Sequence, residues 1–195
     1  IGFGALASPI PGRDIPYLKT FEPGADFMHY TNYQAAFRLA SKILIKEDIP
    51  NKRIVLITDG HPSACFIDHQ KDRDELLSQK PYSHFYIPDV ETLQRVKTDQ
   101  NLSLDLHSGK LVYLCYRYRQ VDEYIAQRTV AEAKKCHRNK IHIDTIMISE
   151  EDSLLAYVNH MEKTVNGKSY YINPGNMDKA LLTDYVKNRR AIVRS

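Results

Sequence analysis

The sequence predicts an α/β protein: a doubly wound, mainly parallel sheet with helices on both faces, from which a β-hairpin makes an excursion. Three observations carry this expectation. Helical and strand patterns alternate along the second half of the chain, as crossovers over a parallel sheet require. Ile54-Val55-Leu56-Ile57 is an aliphatic run without polar alternation, which suits a strand buried on both faces. That strand ends in Asp59-Gly60, and open α/β sheets place ligands at the carboxyl ends of their strands.

A chain of 195 residues, 43% hydrophobic and 26% charged, has the size and usage of one packed domain spanning 1–195, with an insertion at 68–119. The net charge of +3 lacks the concentrated basic stripe of a phosphate-binding surface, so nucleic acid is not the expected partner. Cys65, Cys115 and Cys136 are odd in number and form no CxxC pair. They read as free thiols in a reducing, cytoplasmic compartment. No apolar run approaches the roughly 20 residues that span a bilayer, so no membrane association is expected. The chain opens within a strand, Ile1-Gly2-Phe3-Gly4, without a start methionine, and further residues are expected upstream.

The elements follow in order. Ile1 to Ile10 reads as a strand end, a turn and a short edge strand, and Pro9, Pro11, Gly12 and Pro16 punctuate a loop. A second loop covers Glu22 to Tyr30. Thr31 or Asn32 then caps a helix whose buried face is Ala36, Leu39, Ala40, Ile43 and Leu44. Asp48, Pro50 and Asn51 end it, and the strand from Arg53 follows. Between Ser63 and Arg119 lie a charged stretch (Asp68 to Lys80), an aromatic stretch (Tyr82 to Tyr86) and two strands, Leu102–Leu106 and Leu111–Tyr118. His107-Ser108-Gly109-Lys110 forms the turn between them. Val121 to Asn139 is helical, with Ile125, Thr129, Ala133 and Cys136 on one face. Ile141–Ile148 is a strand, Ser153–Val165 a helix closed by Asn166-Gly167, Lys168–Ile172 a short strand, and Asn176–Asn188 a final helix.

Thr31 at a helix start and Asp59 at a strand end are expected on the same face of such a sheet. A hydroxyl and a carboxylate suit a hard divalent cation, which prefers oxygen ligands and keeps several waters. Taken singly, a threonine cap and an Asp-Gly turn are both commonplace. The wording around them is more specific. Thr31-Asn32-Tyr33-Gln34-Ala35-Ala36 and Thr58-Asp59-Gly60-His61-Pro62-Ser63-Ala64 resemble the TNxxxA and TDGxPxA blocks of bacterial stand-alone von Willebrand factor A (VWA) proteins. Ile1-Gly2-Phe3-Gly4 resembles the end of the second VWA strand, and Asp184 to Arg190 the group's C-terminal helix. The resemblance is weakest across Asp68 to Arg119.

This resemblance implies a metal-ion-dependent adhesion site loaded with magnesium or manganese. It would be built from a DxSxS loop, a threonine and an aspartate, and completed by a partner's carboxylate. Thr31 and Asp59 match the last two contributions, with Asn32, Gly60 and His61 at the periphery. It also implies a protein-interaction module rather than an enzyme, acting beside an AAA+ ATPase of the MoxR type. The chain departs from the pattern in one respect: DxSxS occurs nowhere, and Asp105 to Ser108 and Asp152-Ser153 follow the wrong elements. In the family the first strand is central, and without it two strand edges would lose their hydrogen-bond partners. An N-terminal segment or separate fragment is therefore expected to complete the sheet, and the 195 residues alone to bind metal poorly.

Other features read more plainly. His61 borders the same face as a loop histidine that could tune metal affinity. The eight histidines form no HxxxH or HExxH, against a zinc hydrolase. Cys65, near His61 and His69, reads as buried and inert because nothing orients a base toward it. Tyr113, Tyr116, Arg117, Tyr118 and Arg119 could stack bases, but read more simply as a half-exposed hairpin strand. Lys187, Arg189, Arg190 and Arg194 suit a solvated helix end. Neither GxxxxGKS/T nor GxGxxG is present. The alternative function is a metal-dependent hydrolase, such as a phosphatase, using Asp59 at the strand end; the chain offers no recognisable set of converging groups for it.

Overall fold

The computed structural model describes residues 1–17, 30–80, 84–91, 93–94, 109–117, 120–148 and 152–171. It is α/β, with one parallel and one antiparallel three-stranded sheet and a small N-terminal hairpin. The hairpin pairs β1 (Gly2–Phe3) with β2 (Ala7–Ser8), closed by a Gly4 N–H donating to Leu6 O. A 3-10 turn at Gly12–Tyr17 follows.

Helix α1 (Tyr33–Leu44) begins at Asn32, whose side-chain oxygen accepts from Ala35 N–H. Asn32 is therefore the cap, and Thr31 is left out of it. Ala36, Leu39 and Ala40 are buried and Leu44 packs against the core, as their spacing predicts, but Ile43 is 40% exposed.

The parallel sheet has the order β3 (Lys52–Thr58), β7 (Ile141–Met147), β8 (Lys168–Tyr171), with all neighbours parallel. Helices α3 (Glu123–Arg138) and α4 (Asp152–Val165) connect these strands. Ile125, Thr129, Ala133 and Cys136 of α3 are all buried, as the 3.6-residue period requires. Tyr33 and Phe37 of α1, Ala133 and Cys136 of α3, and Met161 and Val165 of α4 share one core with Leu56, Ile141 and Ile143.

The aliphatic run on β3 is thus half right as an indicator of burial. Leu56 is buried, but Val55 and Ile57 are 43% and 42% exposed. Among the described residues β3 pairs with β7 alone, so it is an edge strand. The described helices α1, α3 and α4 flank the parallel sheet, and the helix expected at Asn176–Asn188 lies outside the described residues. No described helix is long and apolar enough to cross a membrane.

The region after Asp59 is more ordered than its composition suggested. β4 (Ala64–Ile67), β6 (Leu111–Leu114) and β5 (His84–Tyr86) form an antiparallel sheet in the order β4-β6-β5. The charged stretch is helix α2 (Gln70–Gln79), which buries only Leu76. The sheet thus begins at Ala64, before the expected insertion boundary at 68. The expected hairpin partner Leu102–Leu106 lies outside the described residues; β6 pairs instead with β4 and β5. Tyr113 is fully buried while Tyr116 is 73% exposed, so this strand offers no continuous aromatic platform; Tyr118 and Arg119 lie outside the described residues.

Two buried carboxylates brace the parallel sheet, one between two strands and one between a helix and a strand. Asp144 on β7 pairs with Arg53 at 2.7 Å, and Glu162 on α4 accepts from Thr145 N–H at 3.0 Å. Burial pushes the Glu162 carboxyl above the usual glutamate range, despite those hydrogen bonds, and neighbouring Asp144 adds to the rise. A raised acid pKa means that its contribution to stability is complete below the unfolded value and is lost as pH climbs through the folded one. Glu162→Gln keeps the acceptor without the charge. Its Tm should match wild type in mildly acidic buffer and exceed it at neutral pH. Parallel Tm–pH profiles for the two proteins would contradict this assignment.

Candidate functional site

Thr58, the last residue of β3, accepts at its carbonyl from the Ile148 N–H at 2.9 Å, and the ladder stops there. Asp59 is the first residue beyond it and is exposed at the carboxyl end of the parallel sheet. Its carboxylate has no hydrogen-bond or ion-pair partner among the described residues.

Thr31 reaches the same rim from the start of α1. A Cβ built on Gly60 would lie 3.9 Å from the Thr31 hydroxyl oxygen, so Thr31 sits directly against the Asp59-Gly60 turn. Ser63 fixes the Thr31 backbone at both ends: its Oγ accepts from Thr31 N–H at 2.9 Å, and its N–H donates to Thr31 O at 2.9 Å. Ser63 O in turn accepts from Cys115 N–H at 2.9 Å, which ties the rim to the end of β6. Asn32 anchors the other side. Its N–H donates to Gly4 O and its Nδ2 to Ala5 O, both at 2.8 Å. Because Asn32 supplies the helix cap, the Thr31 hydroxyl is not used in capping.

Below the turn is a closed set of hydroxyl bonds. Tyr33 Oη donates to Gly60 O at 2.5 Å and lies 2.8 Å from Thr58 Oγ1, which itself accepts from Gly60 N–H at 3.4 Å. Burial pushes the Tyr33 phenol far above its ordinary pKa, so it remains a neutral hydroxyl. Phe3 meets its ring edge-on at 6.0 Å. His61 is half-buried, and its Nε2 lies 3.2 Å from Ser153 Oγ at the start of α4.

The structure therefore brings Thr31, Asn32, Asp59, Gly60 and His61 to one rim. Tyr33, Thr58 and Ser63 belong to the same rim, although they had no part in the candidate set. All three lie within the two sequence blocks that carry the resemblance, and the signal for Ser63 was its place three residues after Gly60. Among the described residues no group of three or more His, Cys, Asp or Glu side chains is placed to hold a metal ion. The rim supplies two oxygen donor residues, a partial set for a hard cation.

The thiols are elsewhere. Cys65 and Cys136 are buried and Cys115 is partly so, and none forms a disulfide. Burial raises the Cys65 thiol well above its ordinary value and the Cys136 thiol to about 11, which leaves both protonated and unreactive at neutral pH.

Beside the rim runs an apolar groove of about 390 Å3 along the open edge of β3. Ile1, Phe3, Phe37, Leu44, Val55 and Ile57 are among the residues that line it. Compared with protein-family models, curated proteins and solved structures, the chain matches none.

Proposed function

We propose that this chain is a metal-assisted protein-interaction module of the VWA type, whose docking rim is formed by Thr31 and Asp59. The observation that carries the reading is the shared rim: an exposed carboxylate just past the parallel ladder, beside a threonine hydroxyl that its neighbour Asn32 relieves of capping. Magnesium or manganese is the cation such oxygen donors suit, and it would give the site its affinity for a carboxylate on the partner. Asn32, Gly60 and His61 border that position. An AAA+ ATPase of the MoxR type is the partner class that the family resemblance suggests.

Two donor residues do not make a complete cation site. The groove beside β3 suits a further extended apolar segment, supplied from N-terminal residues or a separate fragment. Such a segment would pair with the open β3 edge, cover Val55 and Ile57, and bring more oxygen ligands to the rim. A doubly wound sheet would result.

The test is magnesium or manganese titration of the full-length protein by calorimetry. Asp59→Ala is expected to weaken binding at least about tenfold, while the Tm stays within about 2 °C of wild type because Asp59 is exposed. Retained metal affinity in Asp59→Ala would remove the proposal. Partner capture that is equal with and without a chelator would count against the interaction role.

A further inference from the structure

We propose that Tyr33 is a positioning residue for this rim: its hydroxyl fixes the Asp59-Gly60 turn to the start of α1, so that Asp59 is held in one orientation relative to Thr31. The inference rests on the metal-assisted reading above and adds a residue that touches neither cation nor partner.

The argument begins with what the turn lacks. Asp59 and Gly60 lie past the last rung of the parallel ladder, and among the described residues β3 has no partner on its other side. Neither sheet pairing nor side-chain packing of the exposed Asp59 determines where its carboxylate points. Three hydroxyl bonds hold the backbone on either side of it. Gly60 N–H donates to Thr58 Oγ1, Thr58 donates to Tyr33 Oη, and Tyr33 donates to Gly60 O. Thr58 Oγ1 also lies 3.2 Å from Gly60 O, and Asp59 is bracketed by the residues on either side of it.

Tyr33 is itself held from below. Its side chain is fully buried and packs against Phe3 at 6.0 Å and Phe37 at 6.4 Å between ring centroids. It also follows Asn32 directly in the chain, and Asn32 is fastened to the β1–β2 hairpin through Gly4 and Ala5. The Tyr33 hydroxyl thus links the start of α1 to the end of β3, and Asn32 beside it links the same helix start to the hairpin. A buried hydroxyl offering both a donor and an acceptor is needed here, and phenylalanine would fill the same space without either.

The experiment compares wild type, Tyr33→Phe, Asp59→Ala and a control, Tyr157→Phe, in the full-length protein. Tyr157 packs against the same core and has no part in these three bonds, so its variant reports the cost of losing a tyrosine hydroxyl outside them. Manganese affinity and its electron paramagnetic resonance line shape are measured together with hydrogen exchange at the Gly60 amide. Tyr33→Phe is expected to weaken manganese about tenfold or more, broaden the spectrum and speed exchange at Gly60. Tyr157→Phe should leave all three unchanged. Wild-type affinity and slow Gly60 exchange in Tyr33→Phe, with binding lost in Asp59→Ala, would overturn the role of Tyr33 and leave the metal reading standing. Absence of manganese binding by wild type would overturn both.

Discussion

Gly167→Ala is expected to destabilise the protein by about 2–4 kcal/mol, a large cost for a single methyl group. Gly167 lies between α4 and β8, and a Cβ at this position would meet the Ile143 carbonyl oxygen at 2.4 Å. That oxygen belongs to β7, the central strand of the parallel sheet, and cannot retreat without disturbing pairing with β3. The Glu162 side chain closes the other side, with its Cγ 3.5 Å from the same point. The turn has little slack either. Asn166 occupies the left-handed region at φ 53°, and the Gly167 N–H donates to Glu162 O at 3.0 Å, which secures the end of the helix. Urea unfolding of the two proteins measures the effect. A loss below about 1 kcal/mol would mean that the α4–β8 junction yields more easily than this packing implies.

Asp122→Ala is expected to cost about 3 kcal/mol, and Asp122→Asn distinctly less. The Asp122 side chain is fully buried. One carboxylate oxygen caps α3, accepting from Tyr124 N–H at 3.0 Å and Ile125 N–H at 3.3 Å. The other bonds Lys80, the residue that closes α2, with Arg117 at 3.8 Å. One residue therefore both starts α3 of the main core and fastens the excursion to it. Alanine removes cap and ion pair together and leaves Lys80 one quarter exposed without its partner. Asparagine retains a good cap and loses only the charge. Chemical denaturation should order the three proteins wild type, Asn, Ala. Equal stability of the Asn and Ala variants would show that capping contributes nothing here.

Regular periodicity was the readable part of the chain. Ile125, Thr129, Ala133 and Cys136 are buried on α3 because helical spacing puts them on one face. The Asn166-Gly167 stop was legible for a similar local reason: it needs a left-handed residue followed by a close approach. The excursion was not legible. Gln70–Gln79 buries a single leucine, so its helix carries no apolar stripe. β4 and β5 are only four and three residues long, too short for alternation to speak. Their pairing with β6 is set by partners far away in sequence.

At the rim, the two motif blocks pointed to Thr31 and Asp59, while the hydroxyl ring through Tyr33, Thr58 and Gly60 depended on how α1 lies across the end of β3. Sequence alone determined the residue types and the local turns: an asparagine able to cap, an aspartate after an aliphatic strand, an Asn-Gly pair able to stop a helix. Tertiary structure decided which of Thr31 and Asn32 became the cap, that β3 is an open edge with Val55 and Ile57 exposed, and that Ser63 clamps the Thr31 backbone. The physical reason is range. Caps and turns depend on atoms within a few residues of chain, whereas edges, clamps and shared rims arise only where distant segments meet.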